Sequence, residues 1–247
     1  MRYEMMFPGQ IRKSIEENWP VLLPIGVLEY HAEHLAVGTD GILVIRVLEE
    51  IEKEMDMIIL PPFYYGAASF AVAPPEQKGT IHISSEVLNP FAKELFISLL
   101  RIGFRNVHGV YTHQSENYVA GMPTDLAFKL GARQAIFAFL ENERGEGWWG
   151  SEDSKEYYRN HNEKCSNPFN WIKVHPLRSP ALDGTYKGDH SGILETSFMM
   201  SVCPEGVDML KERSCWFAKA ADNASIEYGN KAREDIVREL KNIISKS

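Results

Sequence analysis

Short apolar runs that alternate with amphipathic stretches constrain this chain more than any other feature. The run Val21 to Val27, VLLPIGV, is almost wholly apolar and stops at charged residues, the pattern of a strand buried on both faces of a parallel sheet. From Ile42 to Met55, apolar Ile42, Val44, Ile45, Val47, Leu48 and Ile51 are followed by a charged tail, which predicts an amphipathic helix. MIILPP reads as a second strand stopped by its prolines. Glu86 to Gly103 reads as a helix with Leu88, Phe91, Leu95, Leu99 and Ile102 on one side and a glycine at its end. NVHGVYTH is a third strand candidate, a helix is predicted around Thr124 to Gly131, and AIFAFL is a fourth strand or a piece of buried helix. Strand-then-helix order favours a mainly parallel sheet covered on both faces, a three-layer α/β/α sandwich.

Two regions break the alternation. Residues 61–84 hold prolines, aromatics and GAAS in a stretch too long for a simple connector. Residues 141–188, rich in charge, Asn, Trp and Tyr, read as an excursion from the sheet, and the polar sequence after Cys215 reads as one or two closing helices. At 247 residues the chain suits one core, so a single domain over 1–247 is expected. A formal charge of −8 argues against a nucleic-acid or anionic-membrane partner. Neither a signal peptide nor a membrane span is predicted, and the scattered Cys165, Cys203 and Cys215 suit reduced thiols. A cytoplasmic protein is the expectation.

The chemistry gathers where the first strand runs out, in PIGVLEYHAEHLAVGTD. Ligands of open parallel sheets bind at the carboxyl ends of the strands. Glu29, His31 and Asp40 follow the first strand and His113 ends the third, so carboxylates and imidazoles suited to zinc, manganese or iron converge on one edge. Taken singly, His31 and His34 also read as loop residues and Asp40 as a helix cap; on the residues alone both readings stand.

The same stretch resembles the signature of the creatininase, or creatinine amidohydrolase, family, in which a strand leads into Glu-Gln-His-Gly-Pro-His-Leu-Pro and closes on Thr-Asp. GTIHIS, residues 79–84, resembles its Gly-Thr segment, and GDHSGILETS, residues 188–197, its Gly-Asp-x-His-Ala-Gly-x-x-Glu-Thr-Ser region. The resemblance implies a creatininase-like fold, two divalent ions per subunit (zinc or manganese, with iron also admitted) and hydrolysis of a non-peptide, often cyclic, amide. It places Glu29, His31, Asp40 and His113 on ligand positions, Asp40 as the bridge and His34 outside the ligand set. The remaining carboxylate falls on Glu195 or, after His113, on Glu116. His190 is implied as the proton donor to the leaving nitrogen, with Asp189 orienting or tuning its ring; by itself GDHSG also reads as a capped helix start. The small-molecule amide is expected to meet Ser69, after a Tyr-Gly, and the substituted positions Tyr30 and Gln114. A homo-oligomer, commonly a hexamer, is also implied.

The chain departs from the family pattern at Tyr30, Ala32, Glu33 and Ala36, and the common His-Gly-Gly-Asn becomes HQSEN. A deformylase acting on a formamide attached to a pyrimidine-type ring uses the same groups, and a silent metal- or metabolite-binding member is the expectation from another class. Trp148, Trp149, Tyr157 and Tyr158 suit either a lid or, more commonly for such aromatics, core or interface packing.

Overall fold

A computed structural model describes residues 1–69, 77–113, 123–154 and 167–246. Its strands are β1 (Val21–Ile25), β2 (Ile58–Ile59), β3 (Val107–Tyr111) and β4 (Ile172–Pro176), and its helices α1 (Pro8–Glu16), α2 (Thr39–Glu52), α3 (Ser85–Ile102), α4 (Pro123–Arg144), α5 (Ile193–Val202) and α6 (Ile226–Ser245). The four strands form one parallel sheet in the order β2-β1-β3-β4.

Side-chain alternation assigns the faces. Val21, Leu23 and Ile25 of β1 join Val107 and Tyr111 of β3 against Phe96 and Leu99 of α3 and Phe128 and Ile136 of α4. Leu22 and Val110 point the other way, into Val44, Val47 and Leu48 of α2, Phe198 of α5 and Ile236 and Leu240 of α6. The result is the expected α/β/α sandwich. Pro24 is tolerated inside β1 because β2 pairs only with Val21 and Leu22, and beyond it the Pro24 carbonyl accepts from the Phe63 N–H.

The strand order matters for function. From β1 the chain crosses through α2 on one face to β2, then through α3 on the other face to β3, on the opposite side of β1. The carboxyl ends of β1 and β3 therefore flank the point where the winding reverses, and a crevice opens there in doubly wound sheets.

One segment decides between two sequence readings and another corrects one. AIFAFL is the piece of buried helix and not the strand: it continues α4, with Ala135, Ile136, Phe139 and Leu140 buried and Phe137 exposed, a helical rather than a two-residue period. The fourth strand instead comes from the region read as an excursion. β4 is an edge strand, only half-buried after Ile172, so it lacks the apolar run that marks a central strand. Among the described residues no helix is long and apolar enough to cross a membrane.

Candidate metal centre

Glu29 and His31 lie on the loop that leaves β1, Asp40 in the first turn of α2, His113 just past β3, and Glu195 in the first turn of α5. The turn carrying Asp40 is held against β1 by backbone contact. A Cβ on Gly26 would lie 2.3 Å from the Gly41 nitrogen, so only glycines permit this approach.

These side chains meet in the interior. His113 Nδ1 lies 3.0 Å from Glu29 Oε1 and 3.3 Å from Asp40 Oδ2. His31 Nε2 lies 3.8 Å from Asp40 Oδ1 and 3.7 Å from Glu195 Oε2. Donor atoms of Glu29, Asp40 and His113 lie within 4.8 Å of one another, as do those of His31, Asp40 and Glu195, and those of Glu29, His31 and His190. Asp40 belongs to two of these sets, one carboxylate oxygen facing each imidazole.

Their partners explain the orientations. The His31 Nδ1–H donates to the Glu29 carbonyl at 2.9 Å, which turns Nε2 into the cluster. The Ser69 N–H donates to Glu29 Oε2, and the Ser191 N–H to Glu195 Oε2. Among the described residues, His31 Nε2, both Asp40 oxygens and His113 Nε2 have no hydrogen-bond partner although they are buried, an arrangement costly in a folded protein unless something else satisfies it. Asp40 is thus no helix cap; Gly38 holds that position in α2.

Charge tells the same story. Among the described residues, the ion pairs of Glu29, Asp40 and Glu195 are with imidazoles, not with Lys or Arg. Burial pushes the Glu29 carboxyl up, but the His113 hydrogen bond and the imidazoles of His113, His31 and His190 outweigh it and hold the group at about 2. Burial alone would lower His113, yet the Asp40 and Glu29 carboxylates raise it well above the usual imidazole range. Glu195 is raised well above its usual range by burial, then by Asp40 and Asp189. Carboxylates crowded without a fixed cation, beside unpartnered imidazole nitrogens, form a donor set suited to divalent metal. Three non-glycine residues here have left-handed backbones: Ala32 (φ 56°), His113 (φ 76°) and Ser191 (φ 56°), the kind of strain that collects at functional sites.

The creatinine amidohydrolase family model matches residues 4–240. The chain belongs to the creatininase family. A creatinine amidohydrolase of Pseudomonas putida is 23% identical over 197 residues, 76% of this chain and 66% of that protein. A 3-dehydro-scyllo-inosose hydrolase of Thermotoga maritima is 24% identical over 113 residues, 43% of this chain and 35% of its own length. The chain thus spans less than two-thirds of either curated relative, and both are hydrolases. A creatininase solved with manganese superimposes with a TM-score of 0.70 at 17% identity, over 98% of this chain and 96% of that one, a likeness of fold.

Within this creatininase fold the remaining sequence-predicted residues separate. His34 is buried behind the loop, its Nε2 2.9 Å from Thr196 Oγ1, and burial, then Arg213 and His31, lowers it to about 4. His190 reaches the cluster: Nε2 bonds the Tyr30 carbonyl at 2.9 Å and Nδ1 lies 3.5 Å from Glu29 Oε1. Burial and then His31 lower its pKa, against Glu29. Asp189 differs from the expectation. Its carboxylate accepts from the Leu194 and Glu195 N–H groups, capping α5, so it fixes Glu195 where orientation of the His190 ring was expected. The Tyr30 side chain also turns elsewhere, packing with Ala32 and Ala218 while its hydroxyl donates to Glu33. The Ser69 side-chain oxygen is buried beside Glu29 with no hydrogen-bond partner among the described residues. Gln114 and Glu116 lie outside the described residues, as do Tyr157 and Tyr158. Trp148 is buried in the core with Trp171, the packing role rather than a lid.

Three contributors escaped the sequence reading. Thr80 accepts the Tyr30 N–H on its hydroxyl, though its position in GTIHIS was a visible pointer. The Gly26–Gly41 contact and Phe217, whose ring lies 5.0 Å from that of His190, left no signal in composition or spacing.

Proposed function

We propose that this chain is a metal-dependent amidohydrolase that cleaves a non-peptide, cyclic C–N amide bond. The reading rests above all on Asp40, a buried carboxylate whose two oxygens each face a different imidazole and, among the described residues, have no hydrogen-bond partner. Glu29, Asp40 and His113 would hold one divalent ion, and His31, Asp40 and Glu195 a second, zinc or manganese by donor type. When bound, such ions bring the pKa of water toward neutrality and polarise an amide carbonyl.

The chain's own groups supply the rest. His190, whose pKa burial lowers, takes a proton from the attacking water and gives it to the leaving nitrogen. Ser69 stands beside Glu29 as a hydrogen-bonding group for the substrate. Asp189, through the α5 N-terminus, keeps Glu195 in place. A homo-oligomer is part of the proposal, supported by Val87 and Phe91 on α3 and Leu126, Leu130 and Phe137 on α4, all exposed large apolar groups.

Metal analysis with a substrate panel tests the reading. Zinc- and manganese-loaded protein is assayed on cyclic amides, creatinine and formamides on pyrimidine-type rings, beside Asp40→Ala. About two ions per chain, lost together with turnover in Asp40→Ala, support the proposal. Turnover confined to formamides makes the chain a deformylase; metal binding with no turnover makes it a silent binder. Purified protein that takes up neither metal overturns the centre.

A further inference from the structure

His190 lies in a row of rings. Its imidazole is 4.4 Å from that of His31, inclined at 37°, and 5.0 Å from the Phe217 ring, inclined at 63°. Phe217 belongs to the segment 208–218, between α5 and α6, which is tied down at several points. The Asp208 N–H donates to the His34 carbonyl at 2.8 Å. Arg213 bonds Asp222 and the carbonyls of Met209 and Lys211. The same segment packs Cys215 and Ala218 around Tyr30, and the Tyr30 carbonyl is the group His190 bonds. One stretch of chain therefore touches both the ring and its hydrogen-bond acceptor.

That bond decides the tautomer. A carbonyl only accepts, so Nε2 carries the hydrogen and the lone pair of the neutral ring is on Nδ1. Turning the ring over would put a C–H on the Tyr30 carbonyl. A single hydrogen bond favours the observed face by only about tenfold, so a second contact is needed to hold it firmly.

We propose that Phe217 is a positioning residue: it keeps the His190 ring on the Tyr30 carbonyl and leaves Nδ1 as the nitrogen that handles the proton. The proposal rests on the amidohydrolase reading above. As the water oxygen bonds to the amide carbon, its proton passes to the Nδ1 lone pair. As the C–N bond breaks with its electrons going to nitrogen, the Nδ1–H proton passes to that nitrogen, and the neutral, Nε2-protonated imidazole is restored.

The test compares Phe217→Leu and Phe217→Tyr with the parent, by NMR of the ¹⁵N-labelled metal-free proteins and by kinetics of the zinc-loaded ones. The parent is expected to show Nε2 protonated and its proton slow to exchange. In Phe217→Leu that exchange quickens about tenfold and the Phe217 contribution to the ring-current shift of His190 disappears, that of His31 remaining. kcat falls about tenfold while KM stays within about twofold and zinc content is unchanged; Phe217→Tyr restores both readouts. Exchange unchanged in Phe217→Leu, a parent proton found on Nδ1, or a kcat loss that tracks zinc loss overturns the proposal. If no amide is turned over, the amidohydrolase reading fails, while the NMR comparison still decides whether Phe217 positions the ring.

Discussion

Replacing Gly26 by Ala should disable the metal centre without touching a ligand. The new methyl would lie 2.3 Å from the Gly41 nitrogen and 2.5 Å from its Cα, where ordinary contact begins at 3.4 Å. The end of β1 and the start of α2 must part by about 1 Å. Gly41 is itself closely packed, the Tyr64 ring filling the space where a side chain of its own would be. Overpacking of this kind costs about 1–3 kcal/mol, a fall in Tm of roughly 2–10 °C for a chain of this size. Asp40 precedes Gly41 and moves with it, whereas metal–ligand distances tolerate only about 0.2 Å, so zinc affinity should fall at least about tenfold. The assay is zinc titration against a chromophoric chelator, with melting curves alongside. Gly184→Ala is the control, because a methyl there meets nothing within 4 Å. Zinc affinity within about twofold of the parent would refute the claim that the glycine contact sets the position of Asp40.

His190→Ala should keep its metal and lose about 10²–10⁴-fold in turnover; loss of an ion instead would make His190 a ligand through its set with Glu29 and His31, and unchanged turnover would remove it from the mechanism. Thr196→Val removes the one hydrogen-bond partner that the described residues give the buried His34 Nε2, whose Nδ1 has none among them; a loss of about 1–3 kcal/mol in denaturant melts is expected, and no loss would refute the role of that bond. A second histidine pair sets an acid limit: His108 Nδ1 and His175 Nε2 lie 3.2 Å apart on β3 and β4, and burial lowers His175 to about 4. Protons then bind the unfolded chain first, so stability is complete above about pH 6.5 and falls as pH drops toward about 4, by about 1.4 kcal/mol per pH unit for each such histidine. His175→Gln should flatten that slope in urea melts taken across the interval, and an unchanged slope would count against the pair as its source.

Much of this was legible in the residues because the fold and the site share a cause. A strand buried on both faces must be apolar throughout, so β1 stood out, and its end marked where polar groups would gather. Glu29, His31, Asp40 and Glu195 could be picked out because motif spacing survives even where neighbours such as Gly to Ala32 do not, and the structure brings their donor atoms together. β4 was illegible because an edge strand need not be apolar, and the continuity of α4 through AIFAFL was hidden by a run too short to show its period. Asp189 misled because a carboxylate beside a histidine has the same sequence whether it serves the ring or the helix start; the free N–H groups of α5 won. The role of Phe217 depends on a loop returning to His190 from later in the chain, which no local pattern encodes.

The hydrogen bond between His34 and Thr196 joins residues 162 positions apart. On a ribosome, therefore, the loop bearing Glu29, His31 and Asp40 emerges on the order of ten seconds before the helix that secures its far side. Through that interval the nascent chain displays carboxylates and imidazoles with no finished cage around them. If the proposed centre binds metal, a cation captured then would be held by an incomplete shell and could exchange freely, so the choice of metal would fall to the completed fold rather than to whichever ion arrives first during synthesis.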